Sequence, residues 1–196
     1  MATSFPWLTL IGLLPLVGAL AIWMIQELAD WAKHIAVGVS VVTLILTVAM
    51  ALQFQPGAAT KFQFVEEHTW IQQFGVSYAL GVDGIALALI VMSAVLVPIC
   101  LVAAWNDLPP ELAHRERHYF ALMLVLETFM IGVFAATDVF LFYVFFEAML
   151  IPVYFLIGQF GGPRRQYAAV KFLLFSLAGG LIMLAAVIAL YSNGPG

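Results

Sequence analysis

The sequence predicts an all-α fold, a polytopic membrane helix bundle of six transmembrane helices. Hydrophobic residues make up 64% of the 196 residues and charged residues only 9%, and the mean hydropathy is +1.07. A soluble domain carries about 25% charged residues, so this chain could not cover its surface with polar groups and must lie in lipid. The apolar residues also form six runs that can cross the roughly 30 Å hydrocarbon core of a bilayer.

Short polar segments separate these six runs. We expect helices at 5–25, 35–52, 78–104, 119–137, 139–158 and 167–191. The turn between the fourth and fifth helices lies within residues 135–138, so the two helices must form a tight antiparallel hairpin. The longest polar segment, 53–77, suggests a division into residues 1–77, with two helices and an outer loop, and residues 78–196, with helices three to six.

The basic residues lie almost entirely on one side of the predicted bundle. The polar segments after the first, third and fifth helices, together with the start of the sixth, carry six cations: Lys33, Arg115, Arg117, Arg164, Arg165 and Lys171. The opposite side carries only Lys61. By the positive-inside rule, the first group is cytoplasmic and both chain ends lie outside.

Several classes of site are not expected in this chain. The sequence contains no basic patch of the nucleic-acid-binding type and no Gly-rich phosphate loop such as GxGxxG or GxxxxGK. Cys100 is the single cysteine, so neither an internal disulfide nor a cysteine metal cluster can form. We therefore expect a lipid bilayer as the surrounding partner, no nucleic acid, and no metal or cofactor bound by this chain.

The fifth predicted helix contains one charged residue, Glu147, near its middle. A carboxylate at that depth costs roughly 2.5–3.5 kcal/mol to insert, so it needs a partner, water or a proton. Helical spacing places Tyr143 and Tyr154 on the same face, and Pro152 removes the donor for the carbonyl of Ala148. We interpret Glu147 as a protonatable group in a membrane relay; the alternative is a structural, protonated acid bonded to another helix.

Two further charged residues lie within predicted helices. Glu127 is mid-helix at a depth similar to Glu147, and each acid would favour the protonated form of the other. Its alternative role is also a structural protonated acid. Lys171 lies about one turn inside the sixth helix, where it either extends to the interface or serves as a proton stepping stone or counter-ion. A water bridge from Lys171 to Glu147 is favoured over a direct ion pair.

Asp83 lies near the start of the third predicted helix, and Asp138 lies at the start of the fifth, so both are at helix N-termini. A carboxylate in this position accepts hydrogen bonds from free backbone N–H groups and is stabilised by the helix dipole. We therefore expect N-caps, with a functional role as the alternative. In the sixth helix, Ser176, Gly179 and Gly180 provide a small-residue face suited to close helix contact.

Four segments of the chain resemble a known family. DVFLFYVFFEAMLIPVYFLIGQFGG and YAAVKFLLFSLAGGLIML are similar to the fifth and sixth helices of the antiporter-like subunit M (chain 4 type) of proton-pumping NADH:quinone oxidoreductase, respiratory complex I. YALGVDGIALALI and LVLETFMIGVFAATD are similar to its third and fourth helices. The resemblance covers most of the chain from residue 78 onward and is weaker before it.

The resemblance implies a membrane-arm subunit in the inner (plasma) membrane of a bacterial cell, built on two inverted repeats. Glu147 falls on the family's essential glutamate of the fifth helix, thought to modulate a proton-carrying lysine on the seventh. The partners implied are other membrane-arm subunits and a C-terminal half of the same subunit, since this sequence ends after helix six. NADH, flavin, iron–sulfur clusters and quinone are expected in other subunits.

Two alternative functions remain open at this point. One is a subunit of a related sodium/proton antiporter or membrane-bound hydrogenase, which shares the helix core. The other is a structural membrane bundle without a transport role, in which Glu147 would tolerate replacement by Leu or Met.

Overall fold

The computed structural model describes residues 5–57, 61–72, 75–107, 112 and 115–193, and six long helices lie within these ranges. They are α1 Trp7–Met24, α2 Ala32–Leu52, α3 Gly84–Ala103, α4 Glu116–Ala135, α5 Val139–Phe160 and α6 Arg165–Asn193. Short 3-10 turns precede α2 and follow α3, at Gln26–Trp31 and Ala104–Asn106. All six helices are long and apolar enough to cross a membrane, which confirms the predicted six-helix bundle.

Helix α4 lies at the centre of the bundle. It packs against α1, α2, α3 and α5, whereas α6 packs mainly against α5. The apolar side chains that α4 buries, such as Phe120, Leu124 and Ile131, recur at helical spacing and therefore share a face. Helix α6, in contrast, leaves most of its apolar surface uncovered.

The bundle contains two apolar clusters at different heights. The first, which we call the hairpin-side cluster, includes Leu8, Ile11, Met50, Leu87, Ile90, Ile131 and Leu141. The second, the loop-side cluster, includes Ala19, Ile22, Ala36, Val97, Leu101, Phe120 and Leu124. Both combine residues of α1, α2, α3 and α4, so the four helices contact one another along most of their length.

Buried polar residues lie between these clusters along three helices. The members are Ser40, Thr43 and Thr47 on α2, Ser93 on α3, and Glu127 and Thr128 on α4. The hydroxyls of the α2 and α3 members donate to carbonyls of their own helices at 2.8–3.0 Å. We call this set the polar layer, and Glu127 is its only carboxylic acid.

A two-stranded antiparallel hairpin connects α2 to α3. Its strands are β1, Gln63–Ile71, and β2, Val76–Val82, with Glu66 opposite Leu80. The prediction that residues 78–104 form one helix is therefore wrong at its start, because 78–82 are strand and α3 begins six residues later, at Gly84. A short apolar run does not distinguish a buried strand from a helix, and Leu80 and Val82 are buried.

The hairpin is fixed to the bundle through its second strand. The backbone N–H of Thr137, between α4 and α5, donates to the Ala79 carbonyl at 3.0 Å. The Ser77 N–H donates to Asp138 Oδ2 at 3.3 Å. The predicted division of the chain after residue 77 falls within β2, and it remains a prediction about domain organisation.

Candidate functional site: carboxylates buried in the bundle

Glu147 lies in the middle of α5 and faces α6. Its carboxylate contacts Gly180, where an added Cβ would overlap Oε1 and lie 2.6 Å from the carboxyl carbon. Oε1 is buried and has no hydrogen-bond partner within the described residues. Glu147 as a whole is partly exposed, so its Oε1 is the carboxyl oxygen that lies buried against α6 without a protein donor.

Small residues allow α5 and α6 to approach closely at this point. Gly158, further along α5, would bring a Cβ to 3.4 Å from the Cβ of Ala169, which is ordinary contact. The pairs Glu147–Gly180 and Gly158–Ala169 have the same antiparallel register. The predicted small-residue face of the sixth helix therefore contributes Gly180 to the space that the Glu147 carboxylate occupies.

A cleft between α5 and α6 opens toward the loop that joins them. It has a volume of about 350 Å³. Its polar lining comes from Tyr154, Gln159 and Gln166, and Ala169 and Val170 line its α6 side. Tyr154 is seven residues from Glu147, about 10 Å along the helix at 1.5 Å per residue. The cleft could admit water to within two helical turns of the acid.

The other α5 residues predicted around Glu147 lie within the same helix. Tyr143 is one turn before the acid and is half-buried, while Pro152 is buried and does not interrupt the helix. Pro152 cannot donate the intrahelical hydrogen bond that the Ala148 carbonyl would otherwise accept. A backbone acceptor is therefore available one residue from Glu147.

Lys171 lies far from Glu147 along α6. It is nine residues from Gly180, about 13 Å along α6 at 1.5 Å per residue. The side chain is exposed, and Nζ lies 6.0 Å from the ring centroid of Tyr167, closer to the start of α6. Nζ therefore extends away from Glu147, and no salt bridge involving Lys171 occurs in the described part of the chain.

Glu127 is completely buried in α4. Its exposure is 0%, and neither carboxyl oxygen has a hydrogen-bond partner among the residues that the structure describes. The next residue, Thr128, is 6% exposed and its hydroxyl is also unpaired within this part of the chain. Low dielectric and the lack of donors disfavour the ionised form of Glu127, so we expect a neutral acid.

Asp83 and Asp138 are helix N-caps. Asp83 Oδ1 accepts a hydrogen bond from the N–H of Ala86 at 2.7 Å, at the start of α3. Asp138 Oδ1 accepts one from the N–H of Leu141 at 2.9 Å, at the start of α5. Asp138 also binds the hairpin through Ser77, so it fixes the end of the helix that carries Glu147.

Glu66 is a buried acid that the sequence did not single out. It is 9% exposed on β1, and its carboxylate reaches the start of α1. Oε1 accepts from the N–H of Leu8 at 2.7 Å, and Oε2 accepts from the N–H and the hydroxyl of Thr9. The Thr9 hydroxyl lies 2.9 Å from the Tyr78 hydroxyl on β2. Glu66 thus satisfies orphan donors of α1 from a strand more than fifty residues away.

The described residues contain no group of three or more His, Cys, Asp or Glu side chains that could hold a metal ion. The chemistry that this arrangement can perform is proton binding. Glu147 and Glu127 each carry a carboxyl group within the membrane helices, and Glu147 lies on the helix that lines the α5–α6 cleft, two turns from its nearest polar lining residue, Tyr154.

Two family models match successive parts of the chain. The model described as NADH-ubiquinone oxidoreductase chain 4, amino terminus, matches residues 8–133. The model described as NADH:quinone oxidoreductase/Mrp antiporter, TM, matches residues 136–194. The boundary between the two matches falls at the short turn between α4 and α5.

Curated relatives are similar over nearly the whole chain. NADH-quinone oxidoreductase subunit M of Mycobacterium tuberculosis (strain H37Rv) is 48% identical over 218 residues, which cover 96% of this chain and 39% of the relative. The subunit M of Rhodobacter capsulatus is 40% identical, covering 94% and 35%. The chain therefore spans about two fifths of the length of the relatives that it matches.

Solved structures share the arrangement of helices. A chain of respiratory complex I from Thermus thermophilus with bound NADH superimposes with a TM-score of 0.76 and 29% identity, covering 92% of this chain and 35% of that one. A chain of the Mrp complex from Dietzia superimposes with a TM-score of 0.78, covering 95% and 19%, but at 21% identity this similarity concerns the fold alone.

Proposed function

The chain belongs to the NADH-quinone oxidoreductase subunit M (chain 4) family, and on this basis we propose that it provides a protonatable carboxylate, Glu147, for proton translocation by the membrane arm of that enzyme. The six apolar helices and these relatives make it a multi-pass membrane protein. The observation that carries the proposal is the position of the Glu147 carboxylate against Gly180, with Oε1 buried and unpaired within the described residues.

A carboxyl group in this position is suited to proton exchange because neither protonation state is fixed by a protein partner. A permanent ion pair would hold the acid ionised, and a strong hydrogen bond from the protonated form would hold it neutral. Where both are lacking, a passing proton or a nearby positive charge can change the state of Glu147. That property distinguishes Glu147 from Asp83 and Asp138, whose carboxylates accept backbone hydrogen bonds.

The cleft between α5 and α6 supplies the proposed route for protons. Tyr154, Gln159 and Gln166 can hold water along its length, and the free carbonyl of Ala148 offers an acceptor closer to the acid. Tyr143 places a second hydroxyl on the same face of α5, on the other side of Glu147 from Tyr154. By this proposal, Pro152 matters because it leaves the Ala148 carbonyl available, not because it bends α5.

Glu127 and Lys171 take secondary roles in the proposal. Glu127, enclosed in the polar layer, is a second group that can carry a proton. Lys171, exposed near the start of α6, places positive charge at the entrance of the cleft and influences Glu147 through water and electrostatics, without a direct ion pair.

The proposal also concerns the surroundings of the chain. We infer a bacterial inner membrane with both ends outside, since six of the seven cations lie on the side that would face the cytoplasm. The proposed partners are other membrane-arm subunits and the remaining part of the same subunit, which would cover the exposed face of α6. NADH, flavin, iron–sulfur clusters and quinone would be bound by other subunits.

The test replaces Glu147 in the assembled enzyme and measures proton pumping coupled to NADH oxidation. Glu147→Gln and Glu147→Leu should lower pumping by tenfold or more, while Glu147→Asp, which keeps an acid, should retain a larger share. The amount of assembled enzyme in the membrane is the control. Normal pumping in both the Gln and the Leu variants would contradict the proposal and favour a purely structural bundle.

A second candidate is a subunit of a sodium/proton antiporter or a membrane-bound hydrogenase. The family model over residues 136–194 includes Mrp antiporters in its description, and the Mrp complex from Dietzia shares the fold. Proton transport that requires sodium and does not require NADH oxidation would favour this candidate. The 48% identity to a subunit M favours the first.

A further inference from the structure

We propose that a cavity between α1, α4, α5 and the β-hairpin is a water-binding site, formed by the hydroxyls of Thr9, Tyr78 and Thr128. This site would extend the hydrogen-bond network of Glu66 from the hairpin toward the polar layer. The inference does not depend on the transport role of Glu147, because it concerns a different cavity and different helices.

The cavity has a volume of about 40 Å³. A cavity needs roughly 10–15 Å³ of space open to the centre of a water molecule to hold one water, so this cavity has room for at least one. Its walls include apolar residues of α1 and α4, among them Leu8, Gly12 and Ile131. Volume alone would not decide the question, because an apolar cavity of this size stays dry.

The polar lining is what makes the cavity a water site. A bound water typically makes two to four hydrogen bonds, and three hydroxyl-bearing residues, Thr9, Tyr78 and Thr128, line the cavity. The Thr9 and Tyr78 hydroxyls lie 2.9 Å apart and can bond each other. Since a hydroxyl has one donor and two acceptor positions, both retain capacity for a further partner.

The hydroxyl of Thr128 gives an independent indication. Thr128 is 6% exposed, and Oγ1 has no hydrogen-bond partner in the described part of the protein. Other hydroxyls in the membrane helices, such as those of Thr43 and Thr47, donate to carbonyls of their own helix instead. A buried polar group left unpaired is unfavourable, and a water in the cavity would satisfy Thr128.

The location gives the water a structural consequence. Glu66 already binds Thr9, and Thr9 contacts Tyr78, so a water bonded to these hydroxyls and to Thr128 continues the network into α4. Thr128 directly follows Glu127 in the chain. The outer hairpin and the residue next to the completely buried acid would then share one hydrogen-bonded chain.

Radiolytic hydroxyl-radical footprinting of the full-length protein in detergent tests this inference. Radicals formed from a water modify the side chains beside it. Ile131 is 1% exposed and lines the cavity, whereas Ile90 is 0% exposed in the hairpin-side cluster and does not line it. We expect several-fold more modification of Ile131 than of Ile90. Equal modification of the two would show a dry cavity and overturn the proposal.

A matched pair of glycine variants tests the position of the water. A Cβ at Gly12, which lines the cavity, would lie 3.8 Å from Ile131 Cγ2, an ordinary contact, so Gly12→Ala fills space without a clash. Gly38→Ala makes the same change on α2, where nothing lies within 4 Å. Modification of Ile131 should fall to the level of Ile90 in Gly12→Ala and stay unchanged in Gly38→Ala.

The variant Thr128→Val tests the hydroxyl itself, since it preserves the shape of the side chain. Modification of Ile131 should fall in this variant as well. Wild-type levels of modification in both Gly12→Ala and Thr128→Val would overturn the proposal. Melting temperatures of all three variants close to the wild-type value would show that the fold is retained.

Discussion

The carboxylate of Glu147 on α5 lies directly against the backbone of Gly180 on α6. A Cβ at Gly180 would overlap Glu147 Oε1 and lie 2.6 Å from the carboxyl carbon. The lack of a side chain at Gly180 therefore creates the space for the acid, and the rest of α6 leaves most of its surface uncovered. Gly180 thus matters for the position of the carboxylate, through close approach and not through backbone conformation.

Gly180→Ala should displace the Glu147 carboxylate, because the added Cβ meets only the flexible end of that side chain. The displacement costs little, and Ala gains roughly 0.5–1 kcal/mol over Gly within a helix, so the melting temperature should change little. If Glu147 acts as proposed, proton pumping should fall severalfold. Thermal unfolding in detergent and pumping by the assembled enzyme measure the two effects.

Gly179→Ala is the matched control for this substitution. Gly179 is the neighbouring residue of the same helix, and nothing lies within 4 Å of its added Cβ. The variant should be neutral or slightly stabilising. If Gly179→Ala and Gly180→Ala lowered proton pumping equally, the contact between Glu147 and Gly180 would not be the cause.

Glu66→Ala should weaken the attachment of the hairpin to α1. The substitution removes the acceptor for the N–H groups of Leu8 and Thr9, which leaves these donors at the start of α1 without their carboxylate partner. Loss of hydrogen bonds to a charged group costs about 1.5–3 kcal/mol, so the melting temperature should fall clearly. Glu67→Ala changes the exposed neighbour on β1 and should have little effect. Similar losses in the two variants would contradict the capping role of Glu66.

Tyr78 should make the hairpin sensitive to high pH. Burial raises the pKa of its hydroxyl above the usual 10.0, the hydrogen bond with Thr9 lowers it, and the charge of Glu66 raises it, with a net increase. Because the pKa is higher in the folded state, this contribution to stability is complete below pH 10.0 and is lost as the pH rises through the folded-state pKa.

Tyr78→Phe should therefore reduce the fall in stability at high pH. The free energy of unfolding, measured against pH by denaturant titration in detergent, should decline less steeply above pH 10.0 in this variant than in the wild type. Tyr191→Phe, at a position that is 63% exposed, serves as the control. An unchanged slope in Tyr78→Phe would show that another group causes the decline.

The helices could be predicted from the sequence because membrane helices are apolar over a length fixed by the bilayer. The hairpin could not, since its second strand, Val76–Val82, is largely apolar and only Asp83 separates it from the apolar run of α3. Asp83 was recognised as a helix cap, and placing the start of α3 after it would have given the correct boundary.

The candidate acids could be predicted only in part. Glu147 and Glu127 are conspicuous because charge is rare in apolar runs, whereas Glu66 lies in a polar segment where an acid is normally solvated. Its burial depends on the meeting of β1 with α1, which no local pattern specifies. The contact between Glu147 and Gly180 likewise depends on the register of two helices, although the small residues of α6 indicated a close approach.

Glu127→Leu should raise the melting temperature. The carboxyl group is fully buried, and neither oxygen has a partner among the described residues, so the acid costs about 1–3 kcal/mol that an apolar side chain of similar size would not. Glu116→Leu, on the same helix, is the comparison: Glu116 Oε1 lies 2.6 Å from Lys33 Nζ, and its removal should lower stability or leave it unchanged. Thermal unfolding in detergent shows whether the melting temperature rises or falls in each variant. A lower melting temperature for Glu127→Leu would mean that water or another polar group stabilises this acid, and Glu127 would then belong to a hydrogen-bonded network inside the bundle.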